Sequence, residues 1–224
     1  MTEKDNALSA PVISTTSDRA GERIVWIDCE MTGLVPGIDE LVEIAAVVTD
    51  GELNVLGDGV DVVIKPSQAA LDQMGDFVRN MHAESGLSER LDSGVSVAEA
   101  EQLVLEYLKQ WVPEAGKAPI AGNSIGTDKL FITAQMPELD AHLHYRVIDV
   151  SSIKELARRW YPRIYFASPE KNGGHRALAD ILESIDELRY YRAAMFVEHP
   201  GPDSITARSV AAQVKATSVT EGRL

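Results

Sequence analysis

The sequence predicts a single α/β domain in which a mixed β-sheet is flanked by helices. Three short apolar runs rich in β-branched residues come first, and helical patterns then alternate with two further short runs. The length of 224 residues suits one domain, and 45% hydrophobic with 25% charged residues is typical of a globular protein. We place this domain at residues 21–197, between a flexible N-terminal segment (residues 1–20) and a flexible C-terminal tail (residues 198–224).

The predicted strands are short runs of buried character. In chain order they are residues 23–29, 41–49, 60–65, 118–121 and 146–150. The pair Asp50-Gly51 predicts a turn between the second and third strands. Apolar runs such as residues 44–48 are far shorter than the ~20 residues that span a bilayer, so we expect no membrane partner.

Helical spacing of apolar residues predicts the remaining elements. The predicted helices are residues 96–111, a helix that starts at 128–135, residues 151–160, and residues 177–197. Ser151 is a candidate N-cap of the third. The fourth has one apolar stripe, formed by Leu178, Ile181, Leu182, Ile185 and Leu188. Around residues 210–214 the tail has at most a weak helical turn.

Charge and cysteine content restrict the function and the compartment. Thirty-five acidic against twenty-one basic residues give a net charge of -14, which disfavours a broad surface for long nucleic acid but permits a small basic patch. The acidic surplus suits a divalent-cation site, and it also serves solubility alone. A single cysteine, Cys29, cannot form an internal disulfide, and no signal-peptide pattern is visible, so we expect a cytoplasmic protein.

Two carboxylates lie close together on the first predicted strand. Asp28 and Glu30 are two positions apart, so both side chains point to the same face, whereas Cys29 points to the other. Neighbouring carboxylates repel each other and resist burial, and a divalent cation between them relieves both effects. Exposure at the strand end is the alternative interpretation.

Two later segments add further titratable residues. Residues 122–128 follow a short strand, carry two glycines and end in Asp128, which is either a functional acid or a helix cap. Residues 172–180 contain a Gly-Gly pair before His175, and Asp180 lies on the helix that follows. His175 can move protons at neutral pH, although a surface histidine on a loop is the alternative.

Together these residues favour metal-dependent hydrolysis of phosphodiesters. Several carboxylates with one histidine are the groups that two-metal phosphodiester hydrolysis requires. Carboxylate oxygens favour Mg²⁺ or Mn²⁺, and zinc is less suited to a set with one histidine and no reachable thiolate.

The order Asp-x-Glu, then Asp, then His-x4-Asp resembles the DEDDh branch of 3′-to-5′ exonucleases, and within it the oligoribonuclease family. The motifs that carry this resemblance are WIDCEMTGL (26–34), AGNSIG (121–126), HYR (144–146) and KELARRW (154–160). The resemblance implies a ribonuclease-H-like fold and a homodimer that trims short RNA, down to dinucleotides, into nucleoside 5′-monophosphates. It also implies that two metal ions are held by a set of four acids, namely Asp28, Glu30, Asp128 and Asp180. His175 would take the proton of the attacking water.

The same resemblance implies the residues that contact substrate. Leu34 would wedge against the bases, and Phe77 would stack on a base where the family more often has Trp. For both residues, core packing is the alternative. His82 and Ser124 would touch phosphate or sugar. Three residues would reach the site from the second subunit and close off the 5′ phosphate, namely Tyr145, Arg146 and Ser151; an ordinary dimer contact is the alternative for the first two.

Other functions fit the sequence less well. A proofreading-type exonuclease on DNA needs a DNA-binding surface or a polymerase partner, and the acidic charge argues against the first. A binding module that lost catalysis predicts at least one missing acid or histidine, yet all five residues are present. A structural dimer scaffold needs none of them.

Overall fold

The computed structural model describes residues 22–170 and 176–220, and this part of the chain forms a five-stranded mixed sheet with helices on both faces. The strands are β1 (Arg23–Met31), β2 (Leu41–Asp50), β3 (Val55–Val63), β4 (Pro119–Gly122) and β5 (His144–Asp149). They lie in the order β3-β2-β1-β4-β5; the first three pair antiparallel, and β1, β4 and β5 pair parallel. The predicted α/β class with a mixed sheet is confirmed.

Nine α-helices and a short 3₁₀ turn (Leu91–Ser93) lie in the described ranges. The helices are α1 (Gln68–Gln73), α2 (Asp76–Glu84), α3 (Val97–Trp111), α4 (Gly126–Gln135), α5 (Pro137–His142), α6 (Val150–Trp160), α7 (Pro162–Phe166), α8 (Ala177–Met195) and α9 (Ser204–Thr220). Within this described part, no helix is long and apolar enough to cross a membrane.

The two faces of β1 belong to two different cores. On one face, Ile27 and Cys29 pack in a cluster that includes Phe131 of α4. On the other face, Trp26 packs with Ile181 and Ile185 of α8. Because strand side chains alternate, Asp28 and Glu30 share the face of Trp26 and point toward α8. This arrangement brings the start of α8 to the carboxylates of β1.

Several elements differ from the sequence prediction, among them β3, α6 and α8. β3 begins five residues earlier than predicted, because Gly57 and Gly59, both with positive φ, hide its pattern. The N-cap of α6 is Asp149 rather than Ser151, since its carboxylate accepts the Ser151 N–H at 3.0 Å. On α8, Leu182 does not join the buried stripe, because the packed face of the helix runs through Ile181 and Ile185.

The C-terminal segment holds a helix longer than the predicted turn. Helix α9 covers Ser204–Thr220, and the Asp203 carboxylate accepts the Thr206 N–H at 2.7 Å at its start. The side chains of residues 202–217 are all exposed. The domain boundary at residue 197 stays a prediction, and the N-terminal segment 1–20 lies outside the described residues.

Candidate active site

Three carboxylates converge between β1 and α8. One oxygen from each of Asp28, Glu30 and Asp180 lies within 4.8 Å of the other two. The strand alternation aims the first two at α8, and the first turn of α8 carries Asp180 to them. Asp28 and Asp180, which are 152 positions apart in sequence, therefore share one site, as the family resemblance of the sequence implied.

Burial and mutual repulsion make these carboxylates poor anions in the absence of a cation. Burial raises the pKa of Asp28 well above its usual range, and the nearby Asp128, Asp180 and Glu30 carboxylates raise it further. Burial, followed by the charges of Asp180 and Glu43, raises the pKa of Glu30 to about 8. A hard divalent cation with oxygen ligands removes both penalties, so this set of donors fits such an ion.

Asp128 lies beside this group of three, but it has a partner of its own. Its Oδ1 accepts a hydrogen bond from the Cys29 backbone N–H at 2.9 Å. Cys29 lies on β1, beyond the residues of that strand that pair with β4. Burial raises the pKa of Asp128 to about 7. The interpretation of Asp128 as a helix cap alone is incomplete, because its carboxylate, in the first turn of α4, accepts a hydrogen bond from a strand amide that is far away in sequence.

Gly122 lets α4 begin this close to β1. A Cβ at Gly122 would lie 2.9 Å from the Ile27 carbonyl oxygen, whereas a Cβ at Gly126 would meet nothing within 4 Å. In the described structure, Gly122 permits close approach of two backbone segments, which positions Asp128.

A buried glutamate that sequence reasoning missed secures the start of α8. Glu43 on β2 is the register partner of Glu30 and is fully buried. Its carboxylate accepts from the Arg176 guanidinium at 2.8 Å and from the Ala177 N–H at 3.2 Å. The signal was present in the sequence as one charge inside an otherwise apolar strand (LVEIAAVV). His175, the predicted base, lies in residues 171–175, outside the described residues.

A hydrogen-bond network holds the predicted residue Ser124. Its φ of 54° is left-handed, which is uncommon for a residue other than glycine. Asp149 Oδ1 accepts the Ser124 N–H at 2.9 Å, and the Ser124 and Ser151 hydroxyls lie 3.1 Å apart. Asn123, which the sequence analysis did not select, accepts from Ser151 and donates to Ser184 of α8 at 2.8 Å. The structure therefore brings Ser124 and Ser151 together within one subunit.

Leu34 and Phe77 are presented to solvent rather than packed in the core. Their exposed fractions are 73% and 80%. The loop that carries Leu34 is shaped by Asp39, whose carboxylate accepts the Val35 N–H at 2.9 Å and would clash with any Cβ at Gly33. The core alternative is excluded for both residues, and their exposure leaves them available for a ligand.

The predicted substrate contact His82 is fully buried in this structure. Its Nε2 lies 2.9 Å from the Met31 carbonyl oxygen, and its Nδ1 lies 3.8 Å from Glu30 Oε2. His82 thus joins α2, which also carries Phe77, to the end of β1 behind Glu30. The two short helices α1 and α2 escaped the sequence prediction because neither shows a long apolar period.

Tyr145 and Arg146 lie on the edge strand β5 and are exposed. Tyr145 is 77% exposed, and the Arg146 guanidinium carbon lies 5.6 Å from the centre of the Tyr145 ring. Both are therefore available to a second molecule or to a ligand.

Comparison with known families and structures defines the class of this protein. Residues 25–188 match the family model RNase_T, described as exonuclease. Crystal structures of exonuclease I share the fold; the zinc-bound complex of the E. coli enzyme with single-stranded DNA superposes with a TM-score of 0.61 at 16% identity. That match covers 78% of this chain and 41% of the other. Family and fold together define a hydrolytic exonuclease that acts on nucleic acid and has a ribonuclease-H-like domain.

Curated relatives narrow this class. The chain is 62% identical to the oligoribonuclease of Streptomyces coelicolor over 192 aligned residues. This alignment covers 86% of this chain and 96% of that protein. It is 60% identical to the oligoribonuclease of Leifsonia xyli, in an alignment that covers 90% of this chain and 96% of that protein. It is 57% identical to the oligoribonuclease of Cutibacterium acnes, with 89% of this chain and 99% of that protein covered. The chain belongs to the oligoribonuclease family.

Proposed function

We propose that this protein is a 3′-to-5′ exoribonuclease that hydrolyses short RNA oligonucleotides, down to dinucleotides, to nucleoside 5′-monophosphates. The observation that carries the proposal is the group of three buried or partly buried carboxylates within 4.8 Å of one another. The names of its relatives supply the substrate class. We further propose that it acts as a homodimer in the cytoplasm, where its one free, buried Cys29 needs no oxidising environment.

Each part of the proposed site has a chemical task. Asp28, Glu30 and Asp180, with Asp128 beside them, would hold two Mg²⁺ or Mn²⁺ ions, which supply Lewis acidity to the attacking water and the leaving oxygen. His175 takes a proton from the water, whose oxygen attacks the terminal phosphorus. The bond from phosphorus to the 3′ oxygen breaks, and that oxygen leaves with a proton from solvent. The released product is a nucleoside 5′-monophosphate.

The proposed specificity for short chains comes from exposed residues around the site. Leu34 and Phe77 offer apolar surface to the bases, and stacking serves any sequence because every base has a π face. Ser124 would serve the sugar and phosphate. His82 is fully buried against the Met31 carbonyl oxygen, so it would act only by holding the end of β1. We assign closure of the 5′ end to Tyr145 and Arg146, which would act from the second subunit. Ser151 lies 3.1 Å from Ser124 in the same subunit, so it would act beside Ser124 instead.

A substrate-length ladder tests the proposed function. RNA of two to twenty nucleotides, supplied with Mg²⁺, should be cleaved with a steep fall in turnover beyond a few nucleotides, because a closed 5′ end excludes long strands. EDTA should stop cleavage at every length, and a parallel ladder of DNA separates ribose preference from length preference. Products resolved by chromatography give the rates. Equal turnover on two and twenty nucleotides would remove the closed-end mechanism.

Substitution of Phe77 tests the stacking surface. Phe77→Ala should raise the KM for a dinucleotide by about 5- to 150-fold, since stacking on one base contributes about 1–3 kcal/mol. The melting temperature should not change, because the side chain is 80% exposed. Phe77→Trp should lower KM by enlarging the stacking ring. Steady-state kinetics on the three proteins measures both effects, and a KM unaffected by Phe77→Ala would exclude a stacking role.

A further inference from the structure

An ion pair between the buried Glu43 and the partly exposed Arg176 joins β2 to the start of α8. Glu43 Oε1 accepts from Arg176 Nη2 at 2.8 Å and from its Nε at 3.0 Å. Glu43 Oε2 accepts the N–H of Ala177, the first residue of α8, at 3.2 Å. Arg90 approaches the same carboxylate at 3.6 Å. One carboxylate therefore binds both the side chain and the backbone at the helix start.

The position of this pair next to the metal-site acids gives it a role beyond stability. Glu43 pairs with Glu30 across β1 and β2, and Ala177 precedes Asp180 by less than one helical turn. The residue before α8, Arg176, provides no side-chain cap, so the Glu43 carboxylate supplies the anion at this helix terminus. Glu43 thus lies between β1, which carries Glu30, and the start of α8, which carries Asp180.

Glu43 is also costly to bury, which argues for a specific purpose. A fully buried carboxylate is tolerated only where partners compensate its desolvation, and apolar residues in such a place are often at least as stabilising. A leucine here would continue the apolar strand. The charged pair, unlike a leucine, fixes the position of Arg176 and of the first turn of α8 through directional hydrogen bonds.

We propose that Glu43 and Arg176 are positioning residues, which hold the first turn of α8 so that Asp180 meets Asp28 and Glu30 at cation-binding distance. This proposal rests on the proposed metal-dependent function. Groups that orient ligands typically change metal affinity or activity by 10- to 100-fold when replaced. Because Arg176 binds Glu43 through two donors in a fixed fork, lysine cannot reproduce the contact although it keeps the charge.

Glu101 offers a matched control. It is also a buried glutamate, and its Oε1 accepts the N–H groups of Glu138 and Leu139 at 2.7 and 3.0 Å, at the start of α5. It therefore anchors a helix start as Glu43 does, but it belongs to the opposite side of the sheet, where α3 packs against α5. Glu101→Gln should lower the melting temperature and leave the cation site unaffected.

The experiment compares Mn²⁺ affinity, measured by calorimetry without substrate, in the full-length wild type, Glu43→Gln, Arg176→Lys and Glu101→Gln. We expect about 10-fold or greater loss of Mn²⁺ affinity in the first two variants and less than twofold in Glu101→Gln. At saturating Mn²⁺, kcat on a dinucleotide should fall in the same two variants while KM stays within twofold. Melting curves identify any variant that does not fold.

The outcomes separate the alternatives. Wild-type Mn²⁺ affinity in folded Glu43→Gln and Arg176→Lys would overturn the proposal, and so would an equal loss in Glu101→Gln, which would indicate general destabilisation. If Glu43→Gln does not fold, Arg176→Lys decides, because its side chain is partly exposed and the substitution keeps the net charge. A wild type that binds Mn²⁺ but cleaves no dinucleotide would refute the proposed function and leave the positioning role intact.

Discussion

Asp28→Asn is expected to abolish dinucleotide hydrolysis and, at the same time, to stabilise the metal-free protein. Asparagine keeps the shape of the side chain but removes a charge that burial and four neighbouring carboxylates oppose. Loss of a carboxylate ligand removes several kcal/mol of charge stabilisation in the transition state, so kcat should fall at least about 1000-fold. Melting in EDTA should occur at a higher temperature than in the wild type.

The opposite signs of these two effects distinguish a functional acid from a structural one. An acid that only stabilised the fold would lower the melting temperature when neutralised. Asp186 provides the control, because it lies on α8, is exposed, and pairs with Arg189 at 2.7 Å. Asp186→Asn should change neither activity nor melting appreciably. An active Asp28→Asn enzyme, or one that is destabilised in EDTA, would contradict the assignment of Asp28.

The sequence predicted those parts of the site that depend on local periodicity. The two-residue spacing of Asp28 and Glu30 on a strand sets their common face, and helical spacing predicted the element that carries Asp180. The convergence of strand and helix needed a further premise, the resemblance to a family. The structure agrees with what the resemblance implied, because the fold brings the three carboxylates within 4.8 Å of one another.

Long-range polar contacts and short helices could not be predicted in the same way. Glu43 and Arg176 are 133 residues apart, and no local pattern pairs a charge in one strand with one particular arginine. Asp128 looked like an ordinary helix cap, because its partner, the Cys29 N–H, is 99 residues away. Helix α1 has only six residues and depends on its Ser67 cap and on packing, so its sequence carries little periodic signal.

The raised pKa values imply an unusual dependence of stability on pH. Acids that are ion-paired in a native protein usually have lowered pKa values and stabilise it as the pH rises. Here burial raises the pKa of Glu30 from 4.5 to about 8 and that of Asp128 from 3.8 to about 7. Between the ordinary and the raised values, the native state binds more protons than the unfolded state, so the free energy of unfolding decreases as the pH rises.

We therefore expect the metal-free protein to lose stability from about pH 5 to pH 8, by about 1.4 kcal/mol per pH unit for each acid that stays protonated only in the native state. Mg²⁺ should reduce or reverse this loss, because the cation binds the ionised carboxylates. Urea unfolding across this pH range, in EDTA and in Mg²⁺, measures both slopes. Glu30→Gln should flatten the EDTA curve. A wild-type stability that rises with pH in EDTA would show that these carboxylates are ionised at little cost, and the electrostatic reason for a cation at this site would be lost.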